Sequence, residues 1–263
     1  MIYRFCCINI YCFVIFWEDT VAYQAIFKRY EIKYMLTVEQ KNRLVQVMEP
    51  YMQIDKYGRT TIRNIYFDTD NYRLIRRSIE KPDYKEKLRV RSYQTADDNS
   101  PVFVELKKKF NGVVYKRRIS MTEHEAMAWI CEGAPPPKET QITREIDYFC
   151  SYYGNMRPAV YLSYEREAYF EKNGGDFRVT FDDNILCRQS DMSLRSEPYG
   201  DRILDDGLVM MELKCSGGIP LWMAHALSEL KLSKASYSKY GTAYTTLIYP
   251  NLIEEKKEIH THV

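Results

Sequence analysis

Between residues 87 and 93 the chain reads Lys-Leu-Arg-Val-Arg-Ser-Tyr, which puts Lys87, Arg89 and Arg91 on one parity and Leu88 and Val90 on the other. Successive side chains of a strand point to opposite faces, so the stretch predicts a strand with one cationic and one apolar face. At a rise of roughly 3.3 Å per residue the three bases stand about 7 Å apart along that face. The pattern recurs along the chain. Val102, Val104 and Leu106 alternate with Glu105 and Lys107, and Lys116 and Arg118 share a face in the following stretch. Glu31 and Lys33 stand in the same relation near the start, and Glu212 and Lys214 near the end. Strands that repeatedly present cations with a glutamate nearby predict a closed sheet with a charged interior.

The chain can afford such an interior. It has 263 residues, of which 45% are hydrophobic, enough to bury a sizeable core and to exclude disorder over most of its length. A net charge of only +2 argues against indiscriminate nucleic-acid binding, and with 28% charged residues the clustering matters more than the sum. Seven cysteines form no C-x-x-C pair and no metal-ligand spacing with the four histidines, as expected of buried thiols in a reducing cytosol.

Residues 1–20 stand apart. Met1 to Trp17 is almost wholly apolar, which suggests a signal peptide or a short membrane anchor, yet Glu18 and Asp19 follow in place of a small-residue cleavage site. A third reading, a chain that truly begins at Val21, is preferred, with an anchor second. The expected organisation is an extension over residues 1–20, one domain over 21–250 and a charged, frayed tail over 251–263.

Within the domain, a first strand ends near Leu36, and Thr37-x-x-Gln40 predicts a capped helix running to about Met48. Ile62–Phe67 reads as a strand, and Tyr72–Ile79 as a short helix or a strand. Asn111-Gly112 predicts a hairpin joining residues 102–109 to 113–121. Helices are expected after Thr122 and from about Thr140 to Tyr153, then strands over 159–170, 176–182 and 209–215, and a helix opening at Pro220.

A charged strand face is ordinarily the solvent side of an antiparallel sheet. These faces differ from that pattern by being rich in Lys and Arg, with Glu31, Glu105 and Glu212 each two residues before a lysine. Facing cations repel unless a polyanion lies between them, and Arg and Lys are the usual phosphate ligands. Carboxylates among them gain a role if a hard divalent cation is held jointly with phosphate oxygens. The combination suits phosphoryl transfer, although the chain has neither a G-x-x-x-x-G-K-[ST] loop nor a kinase signature.

The ordered segments "RYEIKYML", "IYFDT", "EKLRVRSY", "VFVELKKK", "VYKRR", "SYEREAY", "FRVTFDDNI", "MELKC" and "SKYGTAY" together resemble the VTC-type polyphosphate polymerase domain of the triphosphate tunnel metalloenzymes, from about Phe27 to Tyr249. The resemblance implies an α+β fold: an antiparallel β-barrel tunnel of about eight strands with flanking helices. It implies a metal-dependent phosphotransferase that moves the γ-phosphate of ATP onto a growing polyphosphate chain, with Mn²⁺ or Mg²⁺ as cofactor. By position, Lys33, Arg89, Arg91, Lys107, Lys116, Arg166 and Arg178 would bind phosphates, and Glu212 would bind the metal, with Glu31 and Glu105 as further candidates. Lys239 would be essential to activity at the terminal phosphate. Arg76 is preferred over Arg77 for one remaining arginine. Arg29 replaces the first glutamate of the E-x-E-x-K pattern of tunnel hydrolases, which favours the polymerase branch. The alternatives are a tunnel triphosphatase acting on tripolyphosphate or a nucleoside triphosphate, and a non-catalytic polyphosphate-binding module. A cytoplasmic location is expected, with membrane attachment only through residues 1–17; the oligomeric state is left open.

Overall fold

The computed structural model describes residues 30–111 and 113–261. The readings of residues 1–20, of Arg29 and of Gly112 lie outside the described residues. In chain order the elements are β1 (Tyr30–Thr37), α1 (Val38–Met48), β2 (Met52–Thr69), α2 (Arg73–Ile79), β3 (Tyr84–Ser92), β4 (Pro101–Phe110) and β5 (Val113–Thr122). There follow α3 (Glu123–Glu132), α4 (Gln141–Tyr153), β6 (Met156–Glu171), β7 (Arg178–Arg188), β8 (Asp201–Arg202), β9 (Leu208–Cys215) and α5 (Leu221–Glu229). The chain ends in α6 (Lys239–Ala243), a π-helical turn (Tyr244–Ile248) and α7 (Tyr249–Thr261).

All strands belong to one antiparallel sheet in the order β1-β9-β7-β6-β2-β3-β4-β5, with the short β8 attached to β7. The fold is α+β, as expected, but among the described residues the expected closed sheet does not form: β1 and β5 are edges. The sheet nevertheless curls so that β1 comes within reach of β4, one strand in from the opposite edge: Lys107 of β4 donates to both carboxylate oxygens of Glu31 of β1, at 3.0 and 2.8 Å. Beside this ion pair, residues 234–238 lie along the free edge of β1. Tyr34 bridges Lys234, and the Ala235 amide donates to the Lys33 carbonyl at 2.8 Å.

Apolar parity decides which face the helices cover. Leu88, Val90, Val104 and Leu106 pack outward against α3 and α4 through Ala126, Trp129, Ile146 and Phe149. Tyr34, Leu36, Val179, Phe181, Met211 and Leu213 pack outward against α1 and α5. The inner face is divided. At one end Tyr66, Leu162 and Tyr164 are covered by Tyr240, Ala243, Tyr244 and Ile248 from the C-terminal segments. The remainder carries the charged side chains.

Local sequence fixes the helix starts. Thr37 and Gln40 form the predicted capping box, Thr122 and Glu125 form another, and Thr140 and Thr143 a third. The predicted hairpin forms with Phe110 paired to Val113, and Asn111 takes the left-handed conformation such a tight turn requires, at φ 46°. Residues 73–79, left open between helix and strand, are helical. Pro158 lies inside β6, where the register shifts between Tyr66 and Phe67 and so accommodates a residue with no amide to donate. One expectation is corrected: the tail expected to fray is helical through Thr261. Of the four described cysteines, all free, Cys187 and Cys215 are buried as expected, whereas Cys150 is half-buried and Cys131 exposed. No helix among the described residues is long and apolar enough to cross a membrane.

Asp68, fully buried at the end of β2, fastens the C-terminal segment to the sheet. Its carboxylate accepts from the amides of Thr69, Leu74 and Ile75 and from the Tyr240 hydroxyl, at 2.8 to 2.9 Å. Tyr240→Phe removes one of the short hydrogen bonds to a buried carboxylate and is expected to cost about 2 kcal/mol. Chemical denaturation measures this, and a cost below the error of the method would mean that Asp68 is satisfied without it.

Candidate functional site

Three strands supply the first part of the charged face. Their registers set Arg89 of β3 opposite Glu105 of β4, and Glu105 opposite Arg118 of β5. Glu105, with 1% of its surface exposed, accepts from Arg89 on one oxygen at 2.7 Å, and from Arg118 at 2.7 Å and Lys116 at 2.8 Å on the other. Burial opposes ionisation of Glu105, but Arg89, Arg91, Lys116 and Arg118 together hold its carboxyl well below the usual carboxylate range. Arg91 is placed by Asn64 and the Tyr164 hydroxyl, which accept from it at 2.9 and 2.8 Å.

The opposite wall is built from β6, β7, β9 and β1. Arg166 makes a bidentate pair with the fully buried Asp182, at 2.6 and 2.7 Å. Lys239, brought in at the start of α6, donates to the same carboxylate at 2.5 Å and lies 4.3 Å from the centre of the Tyr164 ring. Asp182 is therefore held below its ordinary pKa by Arg166 and Lys239, against the effect of burial. Glu212 stands opposite Lys33 in the β1–β9 register, with Lys214 at 3.4 Å. Burial works against its charge, yet Lys214, Lys33, Lys107 and Arg166 keep its carboxyl well below the normal range. It is held by surrounding charge, with no close ion pair comparable to those of Glu105 and Asp182.

The cations are also constrained. Lys33 donates to the Tyr237 carbonyl at 2.6 Å, and burial lowers its pKa. Lys87 donates to the Ser238 hydroxyl at 2.9 Å, and burial pulls its ammonium down to about 8. Lys107 loses by burial but gains more from Glu31 and Glu212, and its pKa is raised.

The structure thus brings together Lys33, Arg89, Arg91, Lys107, Lys116, Arg166, Lys239, Glu31, Glu105 and Glu212 in one charged face. Arg178 shares the inner parity, opposite Lys214 at the exposed start of β7, and has no ion pair among the described residues. Arg76 does not join the network. It is exposed on α2 and donates to the Asn71 carbonyl at 3.5 Å; strand parity was the wrong guide for a helical residue. Arg77 is no substitute, since its charge acts on Tyr84 and Tyr153, which surround Glu86 on the outer face. Three participants were missed: Lys87, Arg118 and Asp182. Lys87 and Arg118 had the right parity in the sequence, and Asp182 shares parity with Arg178 and Thr180 within one strand.

No group of three or more metal-ligating His, Cys, Asp or Glu side chains comes together among the described residues. Glu212 and Glu31 are diagonal neighbours on β9 and β1, two hard oxygen donors. Such a pair fits a hard divalent cation only if phosphate oxygens complete its coordination. Glu105 is less suited, because both its oxygens are engaged by cations.

The family model of the VTC domain matches residues 28–248. No curated protein matches the chain. Among solved structures, a candidate adenylate cyclase from Bacillus halodurans superposes with a TM-score of 0.52 at 15% identity, over 81% of this chain and 95% of that one. A candidate adenylyl cyclase from Hippeastrum, described as having a dominant triphosphatase activity, gives 0.49 at 15% identity, over 82% and 95%. A third, a candidate adenylate cyclase from Vibrio parahaemolyticus, gives 0.45 at 13% identity, over 83% and 98%.

Proposed function

Because the chain belongs to the VTC domain family and has the fold of the triphosphate tunnel metalloenzymes, we propose that it is a polyphosphate polymerase that uses ATP. The observation that carries this reading is the inner face itself: cations on β1, β3, β4, β5, β6 and α6 outnumber the carboxylates they pair with. A wall of that kind is complementary to a linear polyanion, the class to which both a triphosphate and a phosphate chain belong.

In the proposed reaction a terminal oxygen of the acceptor chain forms a bond to the γ-phosphorus of ATP. The bond from that phosphorus to the β–γ bridging oxygen breaks, and the electron pair leaves with ADP. The attacking oxygen is already ionised at neutral pH, so no general base is required. What the protein supplies is position and positive charge. Arg89, Arg91, Lys107, Lys116, Arg166 and Arg178 would bind phosphates along the chain, and Lys33 and Lys239 would neutralise charge about the transferring group. A divalent cation held by Glu212, with Glu31 beside it, would add further neutralisation at the reacting phosphates.

The test is incubation of the purified protein with ATP and Mn²⁺, with products resolved by phosphorus NMR. Signals of internal chain phosphates growing with ADP, and lost in Glu212→Gln, are the expected result. Orthophosphate as the sole product would assign a triphosphatase. Binding without turnover would leave a polyphosphate-binding module.

Affinity should also depend on pH, with a definite sign. Lys87 and Lys116 are drawn down to about 8 by burial; Tyr66 reaches about 8 through Arg89, Lys87 and Arg91, which overcome burial. Loss of any of these protons makes the wall less positive, so tripolyphosphate affinity should fall as pH rises through about 8, and Lys87→Met should flatten part of the fall. Stability should move the opposite way. An unfolded lysine titrates near ~10.4 and an unfolded tyrosine near ~10, so the folded state binds fewer protons above about 8 and gains stability with pH over that window. Calorimetric titration between pH 7 and 9.5 reads the first, and denaturation at the same pH values reads the second.

A further inference from the structure

The cationic track does not stop at the residues assigned above. One step further along the same face, Lys85 of β3 stands directly opposite Lys109 of β4, beyond the opposed pair Lys87 and Lys107. Like charges directly across a strand pair destabilise it unless something neutralises them. Within the inner wall that role falls to Glu105, Glu31 and Asp182, whereas among the described residues neither Lys85 nor Lys109 has an ion pair. Lys85 donates to the Ser78 carbonyl at 3.3 Å, which aims its ammonium along the gap between α2 and β3. Its pKa is lowered by burial and by the neighbouring charges of Lys109 and Lys81, with no carboxylate acting to restore it. Lys81 is exposed and sits in the turn between α2 and β3, in a left-handed backbone conformation at φ 57°. Two opposed lysines thus face each other with the charge of a third, Lys81, acting on Lys85, and among the described residues none of the three forms an ion pair.

We propose that Lys81, Lys85 and Lys109 form a separate anion subsite that holds a stretch of phosphate chain outside the reacting site, and so makes the protein select long polyphosphate over short. This rests on the polyphosphate reading of the inner face and adds a length preference to it. A triphosphate occupying the inner wall would not reach these lysines; a long chain leaving along β3 and β4 would meet all three. Adjacent phosphates each carry a negative charge, so such a chain neutralises the opposed lysines as no single small anion can.

The experiment compares the full chain with Lys85→Gln/Lys109→Gln, measuring the Kd of tripolyphosphate and of a phosphate chain of some tens of units by titration at fixed salt. Loss of one half-buried and one exposed charge contact accounts for roughly a tenfold weakening, so the long chain should bind about tenfold less tightly to the variant. Tripolyphosphate should bind it as it binds the wild type. The melting temperature should be unchanged or slightly raised, since a like-charge pair is removed, and this guards against a folding defect. Equal affinity of both proteins for the long chain would overturn the subsite. So would an equal weakening for both ligands, which would put these lysines in the reacting site. Failure of the wild type to bind either ligand would overturn the polyphosphate reading and the subsite together, a result separable from the other two because it is seen without any substitution.

Discussion

Glu105→Ala is expected to lower the unfolding free energy by about 3–5 kcal/mol, the usual cost of removing one partner from a buried ion pair. The expectation follows from what would remain. Glu105 is 1% exposed and receives Arg89 from β3 and Lys116 and Arg118 from β5, the two strands that flank its own, so its loss leaves three cations facing one another. The lower end of the range is the more fitting, because the side chain of Lys116 is 42% exposed and can turn to water. A second expectation follows for the same variant. If the wall receives phosphates, tripolyphosphate should restore part of the lost stability, and its stabilising effect should exceed that on the wild type, since bound ligand stabilises in proportion to RT ln(1 + [L]/Kd). Urea melts with and without tripolyphosphate give both quantities. A loss below about 1 kcal/mol, the range of an exposed pair, would show that these cations are solvated and that Glu105 organises nothing.

Lys239→Ala should reduce kcat by roughly a hundred- to a thousandfold, the effect of deleting one preorganised group that stabilises charge in a transition state. The fold should survive, because Asp182 keeps its bidentate Arg166 when Lys239 is removed. The discriminating readout is the split between kcat and stability, obtained from ATP turnover and from thermal unfolding of the same preparation. Normal turnover with a lowered melting temperature would reduce Lys239 to a partner of Asp182. A large drop in kcat at unchanged melting temperature is the outcome expected of a residue acting on the transferring phosphate.

Much of this site was legible because a strand states its own facing. The parity of Lys87, Arg89 and Arg91, and of Glu105 and Lys107, survives intact from sequence to sheet, and so does the E-x-K relation on β1 and β9. The capping box at Thr37 and the helix start at Thr122 were equally plain, since a cap depends on a few consecutive residues. What was not legible depends on contacts distant in sequence. The reach of β2 back to Met52 runs through polar residues whose strand character comes from pairing with β6 over 104 to 119 positions away, as in Thr61 with Glu165 and Met52 with Glu171. The pairing of Asp182 with Lys239 spans 57 residues and unites a strand with the short α6, for which no periodicity exists to read. Arg76 failed for the converse reason: a strand rule was applied to a residue that tertiary packing of Leu74 and Ile75 makes helical.

If the proposed reaction holds, the contact between Glu31 and Lys107 bears on how its product leaves. Among the described residues the sheet is an open ribbon, and β1 with the segment beside it is fastened to β4 and β3 by side chains, here and where Lys87 donates to Ser238. An enclosed polymer is therefore never topologically captive. Parting one ion pair and a few hydrogen bonds along this line would free it sideways, while the backbone ladder stayed whole. A ring of strands closed by its own ladder would permit only endwise threading, whose difficulty grows with every unit added. Lateral release would make the cost of letting go independent of how long the product has become.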